Sequence, residues 1–329
     1  ARLLDRPLSP VLSEVVLDNS NGAYTDLTAS VITKGAQAQI SPGYLTSVGN
    51  ESSYGPGYHI DGLEHSYENA PRSAAGGGRA TLRLILGSQF THFARHRFPR
   101  AVVFAEGAKN IFSQIAYITA RVGYQCSAVS GSPALSSLYP PLVLTPGTSA
   151  LTAIRRALER VEDTAFARGE FFYFIQPLAA DTADATYDRD NPAADQRIEA
   201  ATYGDHLKDA NHIQVFAEDD ASIVADDLDY AEIDLLYAAP LQRHDPFLDT
   251  GAEALARAAA EQRRQVIQTT RNDTIVAPVH CGLEVNDVIA VTDARHGLTA
   301  AKRRVLTLEL AYQRGGKPRY HHTISLGAP

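Results

Sequence analysis

Apolar and polar residues alternate with a period of two near both ends of the chain and shift to helical spacing between them. At the start, Val11, Ser13, Val15 and Leu17 interleave with Leu12, Glu14, Val16 and Asp18, a strand expected to be covered on both faces. Leu27, Ala29 and Val31 make a second alternation, and Gly76-Gly77-Gly78 opens a third. In the third, Leu82, Leu84 and Leu86 point one way while Thr81, Arg83 and Ile85 point the other. Between them, Ser41 to Gly57 holds Pro42, Gly43, Gly49, Gly55, Pro56 and Gly57, which is loop chemistry.

In the middle third, Asn110 can cap a helix with Ile111, Ile115, Ile118 and Val122 on one stripe. Gly147-Thr148-Ser149 starts a second helix with Leu151, Ile154, Leu158 and Val161 inward, and an aromatic strand follows from Phe171 to Ile175. Ala179 to Ala201, rich in Asp and Ala, reads as a long surface loop. Further on, His212 to Phe216 and Ile233 to Tyr237 read as strands. Thr250 and Glu253 have capping-box spacing for a helix through about Val266, with Leu255, Ala259 and Val266 inward. Its wet face is expected to carry Arg257, Glu261, Arg263 and Arg264. Strands are expected at Val288 to Thr292, Val305 to Tyr312 and Tyr320 to Ile324, with Leu306, Leu308, Leu310 and Tyr312 facing a core and Gly315-Gly316 closing a hairpin. The pattern predicts an α+β fold, mainly antiparallel. Residues 1–100 with 210–239 form an N-terminal β-domain, 101–209 a helix-containing insert, and 240–329 a C-terminal β-domain with a helix over 250–266.

Charge refines this picture. A net charge of −8 over 329 residues disfavours broad nucleic-acid binding. His92 to Arg100 carries Arg95, Arg97 and Arg100 with no acid, while Glu218 to Asp234 carries acids and no base, including Glu218, Asp219, Asp220, Asp226 and Asp227. Such patches suit contacts between copies, and the acidic run suits equally the wall of a channel along which DNA slides; the simpler alternative is two solvated faces. No apolar run reaches the ~18 residues of a membrane helix, so no membrane insertion is expected. The chain has no methionine, and Ala1 fits removal of an initiator after cytoplasmic synthesis. Cys126 and Cys281 lack any CxxC partner and read as small buried side chains.

Few residue groups offer chemistry. On one strand face, His59, Asp61 and His65 supply two imidazoles and a carboxylate, enough for a metal-assisted hydrolase. His92 and His96 have helical spacing, but Phe93 stands where a helical zinc hydrolase needs glutamate. His321 and His322 point to opposite faces of a strand, one to pack and one to solvent. Gly76-Gly77-Gly78-Arg79 lacks the lysine and hydroxyl of a phosphate loop, and the acids after Glu218 lack calcium-loop spacing. The Gly/Tyr loop from Tyr44 to Tyr58, in a chain of 15 tyrosines, raises a receptor- or carbohydrate-binding module, although no tryptophan is present. No catalytic residue, cofactor or metal is assigned.

Three segments carry a family resemblance. They are Thr25-Asp26-Leu27-Thr28 with its β-run; Pro146-Gly147-Thr148-Ser149-Ala150-Leu151 leading through a helix to Phe171-Phe172-Tyr173-Phe174; and Gly282-Leu283-Glu284-Val285-Asn286-Asp287-Val288-Ile289 with the closing Tyr320-His321-His322-Thr323-Ile324-Ser325-Leu326-Gly327. In this order the chain resembles baseplate-hub proteins of tailed bacteriophages and related contractile injection machines. The resemblance implies two tail-tube-like β-barrel or sandwich domains and a homotrimer that imitates a six-fold ring. It implies a virion-tail location, and as partners the tail tube or distal tail protein and a central spike, fibre or tape-measure protein, with DNA only as passing cargo. It implies no enzymatic activity.

Overall fold

A single long sheet joins the two ends of the chain. The computed structural model describes residues 2–24, 32–68, 79–194, 196–218, 220–235, 237–245, 248–269, 272–313 and 319–329. Across the sheet the strands run Ala200–Thr202, Asp273–Pro278, Arg319–Gly327, Leu298–Gln313, Arg2–Asp5, Leu12–Asp18, Arg79–Ser88, Gly57–Glu68 and Gln37–Gln39. Val288–Asp293 pairs with Leu298–Gln313 and carries Ala185–Asp188 in parallel. The two β-regions meet where Arg2–Asp5 pairs antiparallel with Leu298–Gln313, from Arg2 opposite Ala311 to Asp5 opposite Leu308. The fold is α+β and mainly antiparallel, with six α-helices among the described residues, and the described strands form no closed barrel.

Each β-region has its own core. Leu82, Leu84 and Leu86 are buried on one face as the alternation predicts, together with Tyr58, Ile60, Leu3 and Leu310. Fully burying each such aliphatic side chain is worth roughly 1.5–3 kcal/mol. The opposite face is wet. Leu12 and Val16 are 61% and 47% exposed, so Leu12–Asp18 is covered on one face and not on both. The C-terminal core gathers Tyr187, Ile275, Ile289, Val291, Ile324 and Leu326. In Leu298–Gln313 a bulge between Val305 and Thr307 resets the alternation. Val305, Leu308 and Leu310 are buried, whereas Tyr312, expected inward, is 47% exposed.

The insert forms as its spacing predicts. Asn110 accepts the Ser113 N–H and caps Ile111–Val122, which Gly123 ends in the left-handed region at φ 93°. Ser149 caps Ala150–Leu158 in the same way. Ile111, Ile115, Ile118, Leu151, Ile154, Leu158 and Val161 enter one core with Phe172 and Phe174. Those phenylalanines lie on Phe171–Ile175, the central strand between Thr164–Arg168, antiparallel, and Gln125–Ser130, parallel.

Four further expectations are corrected. Residues 179–201 are not simply a surface loop: Ala185–Asp188 and Ala200–Thr202 pair into the C-terminal β-region, anchored by Tyr187 and Ile198. Two strands of three or four residues completing a remote sheet carry no periodicity of their own. Second, Ile233 to Tyr237 is no strand; Tyr230–Leu235 is helical, and Asp229 accepts the Glu232 N–H, a cap signal that the β-rich composition hid. Third, His212–Ala217 pairs with Val224–Leu228 and Pro240–Asp245, so the boundary expected at residue 239 falls inside a sheet. Ile213, Val215 and Ala217 pack on Ala254 and Ala258 of the helix Gly251–Thr269, and not on the N-terminal strands. Fourth, that helix is rotated from its expected phase. Ala254 and Ala258 are buried and Leu255 is 56% exposed, because alanines let the helix approach the small sheet closely. The expected segments at Thr25 to Val31, Gly76 to Gly78 and Gly315-Gly316, and Asp219, lie outside the described residues.

Candidate functional site

Of the three residues of the hydrolase reading, His65 stands apart from His59 and Asp61. A bulge between Ile60 and Gly62 flips the side-chain alternation, so His59 lies opposite Gly87 while His65 lies opposite Leu82. Directly opposed residues share a face, and the two imidazoles therefore leave the strand on different faces. His59 Nε2 is 3.0 Å from the Tyr124 hydroxyl, and its ring sits 4.1 Å from that of His92. Burial, then the neighbouring His92, push its pKa down. Asp61 is taken by Arg95, which donates to both carboxylate oxygens at 2.6 and 2.9 Å. Among the described residues no group of three or more His, Cys, Asp or Glu is arranged to hold a metal.

That ion pair also changes the basic segment. Arg95 is neutralised within its own chain, and Arg97 donates to the Gly147 carbonyl at 2.8 Å ahead of the helix Ala150–Leu158. Arg100 is exposed. On the acidic side, Glu218, Asp220 and Asp226 are exposed and Asp227 is half-buried. Asp220 caps its own turn through Ser222, and Asp226 accepts from Gln214 and His212, which hold its carboxyl below the usual range. Asp229 pairs with Lys208. Beside these acids Tyr230, Leu235 and Tyr237 are 68–73% exposed, an apolar accompaniment that surface acids alone do not require.

Buried charge locks the parts together. Asp245, on the small sheet, receives Arg160 from the insert and Arg257 from the helix Gly251–Thr269. Arg264 of the same helix donates to the Leu158 and Val161 carbonyls, and Arg263 to Pro177. The arginines expected on the wet face thus reach across to the insert. A second node forms where Arg168 of the insert meets Asp5 and Glu284, one from each β-region. Nearby Asp287 is pushed up to about 6, by burial first and then by Asp184 and Glu284. His322, on the terminal strand, is buried and held down at about 4 by desolvation, then by His280 and His321.

The tyrosine-rich loop is tied down in part. It contains a hairpin, Gly43–Thr46 with Gly49–Ser52. The Tyr44 hydroxyl donates to the Val279 carbonyl, and the Gly43 N–H donates to the Tyr320 hydroxyl. Leu45, Val48 and Tyr54 remain 79–87% exposed. Sequence reading missed a further signal. Residues 122–154 contain no Asp, Glu, Lys, Arg or His in a chain that is 21% charged. Much of that run is at the surface, including Gln125, Val129, Ser136 and Tyr139.

No protein-family model matches the chain, and no curated protein matches it in sequence. Solved structures do. A tail protein from Neisseria meningitidis MC58 superposes with a TM-score of 0.72, covering 99% of this chain and 90% of that one at 11% identity. The chain has the fold of a phage tail protein. The 43 kDa tail protein of prophage MuSo2 from Shewanella oneidensis matches with a TM-score of 0.62, 12% identity and coverage of 99% and 92%. The E. coli c3393 protein, a type VI secretion component described as similar in structure to the T4 tail proteins gp27 and gp5, matches with a TM-score of 0.58 at 10% identity, over all of this chain and 72% of that one. The resemblance read from short segments of sequence thus holds over the whole chain at the level of fold.

Proposed function

We propose that the chain is a structural, non-enzymatic hub of a phage tail tip or baseplate, three copies of which form a pseudo-six-fold ring joining the tail tube to a central spike or fibre. The observation that carries this reading is the whole-chain fold likeness to tail proteins. The seam at Arg2–Asp5 supports it, because two β-regions fused in one sheet give each copy two wall segments, and three copies then supply six. The wet face of that sheet suits a channel wall. There Arg2 pairs with Glu309 and Arg83 with both Glu14 and Glu64, so these groups carry an excess of acid and offer passing phosphate no net attraction.

In this reading the insert and the small sheet lie outside the ring and meet neighbouring tail proteins. Contacts between copies or with a partner pair Arg100, with lesser help from Arg95 and Arg97, against Glu218, Asp219, Asp220, Asp226 and Asp227. Imaging of native particles labelled with antibody to this chain tests the location. Label at the tail tip is expected; intact tails that never take the label would remove the reading.

A further inference from the structure

The small sheet is packed on one face and open on the other. Ile213, Val215 and Ala217 lie against the helix Gly251–Thr269. The alternate residues His212, Gln214 and Phe216 leave the strand on the opposite face, level with Leu228, Asp226 and Val224 of the neighbouring strand. Val224 is 44% exposed there. The Asp229 N–H donates to the Asn211 carbonyl and fixes the helix Tyr230–Leu235 at one end of this sheet. None of that helix's residues is fully buried. Six residues do not hold a helix in water unaided, because helices in proteins owe most of their stability to packing of an apolar face. Here Tyr230 and Leu235, with Tyr237 just beyond, turn outward instead.

The whole net charge of the chain is concentrated in this module. Residues 212–245 hold nine of the 38 acids and one of the 30 basic residues, a net of −8, while the other 29 acids and 29 bases cancel. Asp229 is matched by Lys208, and Asp245 by Arg160 and Arg257. Glu218, Asp227 and Asp234 meet no lysine or arginine among the described residues. Like charges crowded into one small module repel and destabilise it, and aromatic and aliphatic side chains left in water beside them add to the cost. One kind of occupant relieves both.

We infer that the open face of the small sheet, with Tyr230, Leu235 and Tyr237 at its end, docks a different tail protein through a segment rich in arginine or lysine that also carries apolar side chains. The inference rests on the reading above that the small sheet lies outside the ring, and it names the chemistry of the neighbour found there. Complementary charge brings the segment in and orients it. Arginine suits the site twice over, pairing with carboxylates and lying across the faces of exposed tyrosines. The apolar side chains cover Leu235 and the tyrosine rings, giving an apolar centre within a charged rim. A second copy fits less well. Outside 212–245 its charges cancel, so it brings Arg100 to one or two of these acids and leaves the rest unmatched. Nucleic acid is repelled, and a bare cation does nothing for the apolar side chains.

Photocrosslinking in native particles tests it. The photoreactive residue p-benzoylphenylalanine replaces Tyr230 in one variant of the full chain and Tyr237 in another, both exposed positions. Irradiation of intact tails should join the chain to another tail protein, and the joined segment, located by mass spectrometry, should carry a net positive charge. Adding Asp234→Lys and Leu235→Ser to the Tyr237 variant should cut that product at least roughly tenfold. Both residues are exposed, so thermal unfolding should not change. Tails that contain the chain but give no product overturn the inference. So does a product with another copy, with DNA or with a segment lacking excess base, or one that the added substitutions leave undiminished. Tails that lack the chain altogether defeat the hub reading itself, and this inference falls with it.

Discussion

At the scale of single residues, Asp245 bears the greatest structural demand. It is 4% exposed and neutralises two arginines that come from different parts of the chain. Asp245→Ala should cost about 3–5 kcal/mol in chemical denaturation, because it leaves buried guanidinium groups uncompensated. Asp287 works in the opposite sense. Its carboxyl is raised to about 6 in the fold from 3.8, so the folded state holds a proton that the unfolded state releases, and ionisation costs stability as pH rises through 4 to 6. Asp287→Asn should therefore stabilise the protein at pH 7 by about 1–2 kcal/mol, after allowance for solvent screening, with the gain gone near pH 4. His322 has its folded value lowered to about 4 from 6.5. Its contribution is present above 6.5 and is lost as pH falls through 4, because the unfolded state takes up the proton first. Melting curves of the Asp287→Asn variant between pH 7 and 4 should show that fall clearly; in the wild type Asp287 offsets part of it.

At the scale of elements, the helix Gly251–Thr269 gives the sharpest comparison. Ala258 is fully buried against the small sheet, and Leu255 is outside. Ala258→Asp should abolish cooperative folding or cost more than about 3 kcal/mol, whereas Leu255→Asp should stay within about 0.5 kcal/mol. Unfolding curves of the two variants in the reverse order would contradict this placement. The sequence favoured the wrong phase because leucine outweighs alanine in a hydrophobic stripe, while the burial depends on close approach and on arginines reaching the carbonyls of Leu158 and Val161. Elements that bury a regular stripe within their own neighbourhood were legible: Ile111–Val122 with its Asn110 cap, the buried face of Leu82, Leu84 and Leu86, and Phe171–Ile175. Ala185–Asp188 and Ala200–Thr202 were not, since their partners lie about a hundred or about seventy residues away. The bulge at Ile60 and Gly62 separated His59 from His65, and no periodicity argument foresees an extra residue in a strand.

At the scale of the whole molecule, one sheet contains both the first strand and the last, Arg168 and Arg160 bolt the insert to it and to the small sheet, and Arg257 ties the helix Gly251–Thr269 to the same Asp245. Arg95 and Arg100, alike in sequence, should part company here. Arg95→Glu breaks the pair with Asp61 and should lower stability by about 1 kcal/mol whatever the assembly state. Arg100→Glu should leave thermal unfolding unchanged but weaken ring formation at low salt, with the difference disappearing at high salt. Ring formation by Arg100→Glu equal to the wild type at low salt would make this segment a solvated loop. The central claim is the ring itself, and native mass measurement of the purified chain tests it most directly. A species of three times 35.5 kDa is expected. A single copy at every concentration, in a protein that also fails to join isolated tail tubes, would contradict it.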